Sequence, residues 1–484
     1  MNKGRIMGQI ARHWIDGNWV AEGEKAVTTT VYTGEDHSLY YSGDARTADT
    51  AIAVARERFE RSAWAHTPRL RAQCLLELAD AITKRRDEIA RMIAAENGKV
   101  LAHCLHETNA AISEARYYAG LARAIFGRVS EIDEGKQSIF AQEPIGVAAI
   151  IIPWNAPSTL LLRSLGPAMA AGCTCVIKGA HQTSGVNFLF AQCLADCPSL
   201  PAGVVNMVHG GLEMSQRLCT DSGVDVVSFT GSSATGKAIM AGAAPTLKRV
   251  SLELGGKAPT LIFDDADLDR AVAETVNGLI PHAGQMCTAI ARILVQDSIW
   301  DRFVPALRDA ANAVSCGDPM DAANRMGPLF DLASAERYAA NIGQAARDGE
   351  TILRGEIRAG HPLGNVATPA LYEVGDITHP LVQKELFSPI GIVERFTAED
   401  DAVQSANATR YGLAASLHSQ DHSRARRVAR ALKAGTVWIN CHNRLFAEAE
   451  TGGYRESGMG RLHGLEGLSD FMETKHIYAE CGRT

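Results

Sequence analysis

From residue 146 onward the sequence repeats one pattern, a short and nearly uninterrupted apolar run followed by a segment with helical spacing. The runs read GVAAIII, TCVIKG, GVVNMVHG, VDVVSFTG, RVSLELGG and PTLIFDD. A strand with one wet face alternates apolar and polar residues. Strands this continuously apolar are covered on both faces, which predicts a parallel sheet between layers of helices. After residue 260 a second series begins with ARILVQD, PIGIVERF, GLAASLHS and AGTVWIN, so a second α/β domain is expected. The architecture is of a nucleotide-binding type, although such folds serve many functions.

The remaining segments fit around these two sheets. In residues 69 to 97 an apolar stripe of Leu75, Leu78, Ala79, Ile82, Ile89, Met92 and Ile93 predicts a packing helix, with KRRDE toward water and Asn97-Gly98 as its stop. Residues 124 to 145 lack helical period and contain a Glu-Gly turn, which predicts an excursion of strands. Such an arm often joins subunits.

Bulk properties exclude several function classes. A formal net charge of −7 supplies no general basic field, so neither nucleic acid nor an anionic membrane is expected as a partner. The start, MNKGRIMGQIARHWIDGNW, lacks the apolar core of a secretory signal, and GVAAIII before Pro153 is far shorter than the ~18 residues of a membrane span. A cytoplasmic protein is expected. Its 11 cysteines include no CxxC pair, and their odd number and scatter argue for reduced thiols, with no metal site.

Four short stretches carry potential chemistry. SFTGSSATGKAIM places Gly231, Ser232 and Gly236 at a strand-to-helix turn, where backbone N–H groups and the positive helix end can meet a phosphate, although a plain turn has the same look. SLELGGKAP puts Glu253 at the end of an apolar strand, where a carboxylate is partly desolvated and becomes a better base; a strand-end ion pair is the alternative. In IIPWNAPSTLLLRSLGP the prolines stop regular structure and leave the Asn155 amide free to point into a cleft, as an oxyanion donor or as an ordinary turn residue. HAGQMCTAIAR presents the thiol of Cys287.

Taken in order, PWN, SFTGSSATG, ELGGK, GQMCTA, KELFSP, ANATRYGLAAS, AGTVWIN and GGYRESGMGRLHGLEGL resemble the aldehyde dehydrogenase superfamily, in its non-acylating NAD(P)-dependent branch, over essentially the whole chain. The resemblance implies two Rossmann-like parallel-sheet domains plus a small β oligomerisation arm. By it, residues 1–123 and 146–255 bind NAD or NADP, residues 256–445 form the catalytic domain, and 124–145 with 465–484 form the arm of a homodimer or homotetramer. It also implies roles. Cys287 is the nucleophile toward an aldehyde carbonyl, and Asn155 with the Cys287 N–H holds the oxyanion. After hydride transfer to the nicotinamide, Glu253, 34 residues before Cys287, activates water against the thioester. The turn Gly231–Gly236 with Ser232 takes the pyrophosphate, Lys178 the adenosine ribose and Glu385 the nicotinamide ribose, with Phe387 and Trp154 beside the nicotinamide.

The chain departs from the family pattern at informative places. His181 stands where many NAD-using members carry a Glu that repels the 2′-phosphate of NADP, so NAD preference is open; His181 either attracts that phosphate or turns to solvent. Ser388 replaces the usual Gly, and Leu462 replaces a Glu linked to proton relay, so deacylation leans more fully on Glu253. The expected tunnel positions are Ala156, Thr159, Leu160, Arg163, Pro281, His282, Met286 and Thr288. Arg163 stands where many aliphatic-aldehyde members have Trp and where semialdehyde and benzaldehyde-type members often have Arg; it either holds an anionic group or is a structural ion pair. Arg444 is a second candidate cation at the tunnel mouth, with Phe446 as an aromatic wall. The substrate expected is an aromatic or anionic aldehyde; a semialdehyde, aliphatic or betaine-type aldehyde is the alternative, and a thiol esterase using His282, a CoA-acylating enzyme or a silent scaffold lies further off.

Overall fold

A computed structural model of the chain describes residues 10–480. Residues 1–9 and 481–484, and with them Cys481 and the ends of the expected first domain and arm, lie outside the described residues.

Both expected sheets are present. The first orders its strands Gly458–Met459, Arg249–Glu253, Val226–Thr230, Val147–Ile151, Thr174–Lys178, Val205–Val208, His13–Ile15, Asn18–Val20. Its five central strands run parallel, and antiparallel strands finish both edges. All five residues of Val147–Ile151 are buried, and the pleat explains why every one is apolar. Ala148 and Ile150 join a core with Leu75, Ile82, Leu161 and Phe190 on one face, while Val147, Ala149 and Ile151 join Ala51, Ile52 and Met214 on the other. The second sheet orders Glu350–Leu353, Ala370–Glu373, Ile390–Phe396, Ile290–Gln296, Ala258–Ile262, Ala414–His418, Thr436–Ile439, and is parallel except at its first pair.

The single helix expected over 69–97 is two, Pro68–Lys84 and Arg86–Asn97. Arg85 breaks the run at φ −101°, ψ 9°, its guanidinium held by Glu88 and Asp196, and Asp87 and Glu88 start the next helix in its first turn. The apolar stripe crosses the break because Leu75, Leu78, Ile82, Ile89 and Ile93 all enter the same core. Gly98 ends the second helix at φ +79°, a left-handed cap.

Residues Arg128–Asp133 and Lys136–Pro144 form a hairpin about the Glu134-Gly135 turn, and Met472–Glu480 pairs antiparallel along its second strand. The outer strand Arg128–Asp133 is exposed along its whole length. No helix among the described residues is long and apolar enough to cross a membrane.

The two sheets meet end to end. Strands of the first finish at Ile151, Lys178, Thr230 and Glu253, and strands of the second begin at Ala258, Ile290, Ala414 and Thr436. Four residues join Glu253 to Ala258. A crevice at the carboxyl ends of parallel strands is where open α/β sheets take ligands.

Candidate active site

A cavity of about 630 Å³ opens at this junction, lined by Glu253, Cys287, Arg163, His282, His463 and Trp438 among others. All eight expected tunnel positions lie on its wall, as does Arg444. Phe446 does not; it is exposed to solvent, and the aromatic wall is Trp438, whose indole N–H donates to the Arg444 carbonyl (2.9 Å).

Cys287 and Cys441 are the only cysteines not fully buried among the described residues, and only Cys287 faces this cavity. The backbone before it is unusual. His282, Ala283 and Gly284 are consecutively left-handed, at φ +50°, +54° and +72°. A Cβ on Gly284 would run into the Ser388 backbone, so only glycine fits there. Gln285 locks the turn: its side-chain amide donates to the His282 carbonyl (2.9 Å) and accepts the Phe330 N–H (2.9 Å). Burial pushes the Cys287 thiol up to about 11; Arg163 and its own backbone N–H oppose this, while Glu253 and Glu385 add to it.

Asn155 is not the free amide expected. Its Nδ2 donates to the Gln285 carbonyl (3.0 Å) and approaches the Met286 sulfur at 4.0 Å, while Oδ1 has no partner. The reason lies one layer back, where Asn97 donates to the Trp154 and Asn155 carbonyls and clamps the segment against the nucleophile turn. Glu253 ends its strand, pairs by backbone with Gly458, and is raised above the ordinary carboxylate range by desolvation, with Arg163, His463 and Arg461 pulling the other way.

Arg163 is buried within the helix Pro157–Ala171. Its Nη2 donates to the Thr230 hydroxyl (3.0 Å), its Nε has no partner, and no carboxylate lies within ion-pair distance of it among the described residues. A structural ion pair is therefore not its state. Arg444 does have such a partner, Glu274 at 2.8 Å, which engages its guanidinium at the mouth. Thr159 donates to the Glu107 carbonyl (3.2 Å). His282 lies tilted against Trp154, neither ring nitrogen has a partner, and burial drives its pKa well below 6.5.

Lys178 is buried at its strand end without an ion-pair partner among the described residues, and burial lowers it to about 8. His181 is exposed at the surface, and partial desolvation with Lys178 nearby lowers its pKa. The N–H groups of Gly231 and Gly236 are not free as expected: they donate to the carbonyls of Glu253 (3.0 Å) and Ser232 (2.9 Å). The glycines serve packing, since a Cβ on Gly236 would strike Leu254 at 2.6 Å. Ser232 caps the helix Ser233–Ala243, and the first-turn N–H groups of Ser233 and Ala234 are the ones without a helical acceptor. Glu385 accepts the Gly256 N–H (3.0 Å) and is raised to about 6 by desolvation. Trp154 stacks on Phe330 (4.0 Å) and meets Phe387 edge-on (6.1 Å).

A family model described as "Aldehyde dehydrogenase family" matches residues 19–477. The chain belongs to the aldehyde dehydrogenase family. As a member it is an oxidoreductase that acts on aldehydes. Aldehyde dehydrogenase 1 of Tanacetum cinerariifolium is 36% identical, over 97% of this chain and 95% of that protein. Betaine aldehyde dehydrogenase of Bacillus subtilis is 34% identical, over 96% of each. Among solved structures, betaine aldehyde dehydrogenase of Staphylococcus aureus in complex with NAD+ superposes with a TM-score of 0.93 at 34% identity, covering 98% of both chains. An aldehyde dehydrogenase of Bacillus cereus superposes with a TM-score of 0.95 at 34% identity, covering 98% of this chain and 97% of that one.

What motif reading missed is the pair Glu114 and His463. The His463 ring hydrogen-bonds the Glu114 carboxylate through Nδ1, both side chains are buried, and His463 lines the cavity. The signal was the His inside GRLHG, next to the position read as a lost carboxylate.

Proposed function

We propose that the protein oxidises an aldehyde bearing an anionic group, aliphatic or aromatic, to the carboxylic acid with NAD or NADP. The observation that carries this reading is Arg163, a buried guanidinium with an unpartnered Nε on the wall of the cavity that holds Cys287 and Glu253. Such a group is costly to bury alone and favours a ligand that supplies the missing acceptor. A quaternary ammonium aldehyde fits poorly, because it would face Arg163, and Trp438 is the only Trp, Tyr or Phe among the described residues on that wall.

The chemistry follows from the side chains. Cys287 gives its proton to water in the cavity, a loss that is costly at about 11 and that the Arg163 charge offsets. The thiolate adds to the carbonyl carbon, and the Asn155 amide stabilises the oxyanion by exchanging its long Met286 contact for a charge-assisted bond. Residues suited to a dinucleotide are present: Lys178 offers an ammonium without an ion-pair partner among the described residues, Ser232 caps the start of a helix, and Glu385 offers a desolvated carboxylate. Bound there, the dinucleotide supplies the hydride acceptor. Glu253 then takes a proton from the water that cleaves the thioester. An exposed His181 with a lowered pKa neither repels nor strongly attracts a 2′-phosphate, which supports use of both cofactors.

This reading also divides the chain as the family resemblance does, with 1–123 and 146–255 as cofactor domain, 256–445 as catalytic domain, and the three-stranded sheet as an arm between subunits. Exposure of Val129 and Ile132 on its outer strand supports that last role. The deciding experiment follows NADH and NADPH at 340 nm with succinic semialdehyde, a carboxybenzaldehyde, benzaldehyde, hexanal and betaine aldehyde. Preference for the first two supports the reading; preference for hexanal or betaine aldehyde sinks it.

A further inference from the structure

Resting on the deacylation step just proposed, we infer that His463, held by Glu114, receives the proton that Glu253 removes from the hydrolytic water. The geometry is a buried carboxylate–imidazole pair with one end in the active-site cavity. His463 is 2% exposed, its Nδ1 meets the Glu114 carboxylate, and its Nε2 has no partner among the described residues. The carboxylate fixes the tautomer, with the proton on Nδ1 and the lone pair on Nε2, so the orphaned nitrogen is an acceptor. Glu253 lies on the same wall, close enough that a charged His463 would favour its ionised form, and receives no hydrogen bond from any described side chain.

The placement is built. The helix Leu101–Leu121 carries Glu114, and Tyr118 on the same helix donates to the Gly464 carbonyl (3.2 Å), anchoring the turn that presents His463. Glu450 accepts the Leu465 N–H (3.0 Å), fixing the other side of that turn. Leu462 points into the core at 1% exposure, so the carboxylate missing at that position has no substitute there; His463, one residue on, faces the cavity instead. The Thr451 hydroxyl on the same wall is also unpartnered. The charged and titratable groups facing this cluster are Glu253 from its strand, Arg163 from its helix, Glu114 and Tyr118 from Leu101–Leu121, and Glu450, Arg461 and Asp470 from the C-terminal segment.

The step balances. Water loses a proton to the Glu253 carboxylate as its oxygen bonds the thioester carbon; the Cys287 sulfur leaves, and the proton passes from Glu253 to His463 Nε2. The imidazolium so formed is held by Glu114, and Glu253 is ready for the next turnover. His463 is thus a positioning and relay residue that acts through Glu253.

The test uses full-length enzyme and the best aldehyde from the panel, with stopped-flow and steady-state readings from pH 5.5 to 9.5. His463→Asn keeps a donor toward Glu114 but cannot accept the proton, and Glu114→Gln keeps a hydrogen bond but removes the charge. Both are expected to retain the pre-steady-state burst of NAD(P)H, to lose about 10- to 100-fold in turnover, and to shift the acid limb of the kcat profile. Imidazole in the buffer is expected to restore part of the turnover of His463→Ala. Wild-type turnover and an unmoved profile in both variants overturn the relay, as does equal loss of burst and turnover. If the variants do not fold, a proton inventory of wild-type turnover in mixed H2O and D2O decides: two protons in flight support the relay and one overturns it. Absence of any aldehyde-dependent NAD(P)H formation by the wild-type enzyme would instead defeat the thioester reading on which the relay rests.

Discussion

Replacing Arg163 by Met keeps most of the side-chain volume and removes only the charge and its donors. One donor is already committed to Thr230, so part of any loss comes from a disturbed wall and falls on every substrate. What is specific to an anionic aldehyde is the bond that the unpartnered Nε can make. A hydrogen bond to a charged group is worth about 1.5 to 3 kcal/mol. At about 1.4 kcal/mol per tenfold, that is roughly a 10- to 150-fold loss in kcat/KM. The assay is therefore a ratio: kcat/KM for a carboxybenzaldehyde over kcat/KM for benzaldehyde, in wild type and in Arg163→Met. A shared wall defect cancels, and the ratio is expected to fall by that factor. An unchanged ratio, however large the common loss, would refute the argument that Arg163 reads the substrate's charge.

Further expectations concern the nucleophile, the base and the frame. Cys287→Ala is expected to abolish aldehyde oxidation while cofactor binding, followed by protein fluorescence, persists; residual oxidation above about 0.1% would place the chemistry elsewhere. Glu253→Gln is expected to keep the NAD(P)H burst and slow turnover by about 10²- to 10⁴-fold, and loss of both together would assign it another role. Gly284→Ala puts a Cβ against the Ser388 backbone at φ +72°, so activity is expected to fall by more than tenfold with helical circular dichroism intact. The buried Glu96, which accepts from Thr28, Gly185 and Val186, is raised from 4.5 to about 7 by desolvation. A carboxyl raised on folding stabilises fully below 4.5, and that contribution is lost as pH rises through 7, on the order of 3 kcal/mol. Urea midpoints at pH 5 and pH 8 are expected to show a smaller drop for Glu96→Gln than for wild type.

The strands were legible because two-sided burial leaves its mark on every residue, as in Val147–Ile151, in short runs set off by turn residues. The reactive groups were legible through spacing and resemblance: Glu253 ends a strand whose boundary the apolar pattern marks, and Cys287 lies in the turn just before the apolar strand Ile290–Gln296. What pattern could not supply was partnership. That Asn155 spends its amide on Gln285, 130 positions away, or that Gly231 donates to Glu253, depends on how two sheets abut. Arg85 breaks a helix whose stripe continues undisturbed, because the stripe records the core and not the backbone. Glu114 sits on a helix like many other surface-type carboxylates, and only the fold brings it to His463, 349 positions later.

The backbone pairing of Glu253 with Gly458 has a consequence for how the protein is made. Domains fold as they emerge from the ribosome, N-terminal parts first. Here an edge strand of the first sheet, Gly458–Met459, and the histidine beside it follow Cys287 by more than 170 positions, so thiol and base are synthesised long before their surroundings close. A newborn chain carries its nucleophile without a working pocket, and catalytic competence waits until the segment around Gly458 and His463 has been made.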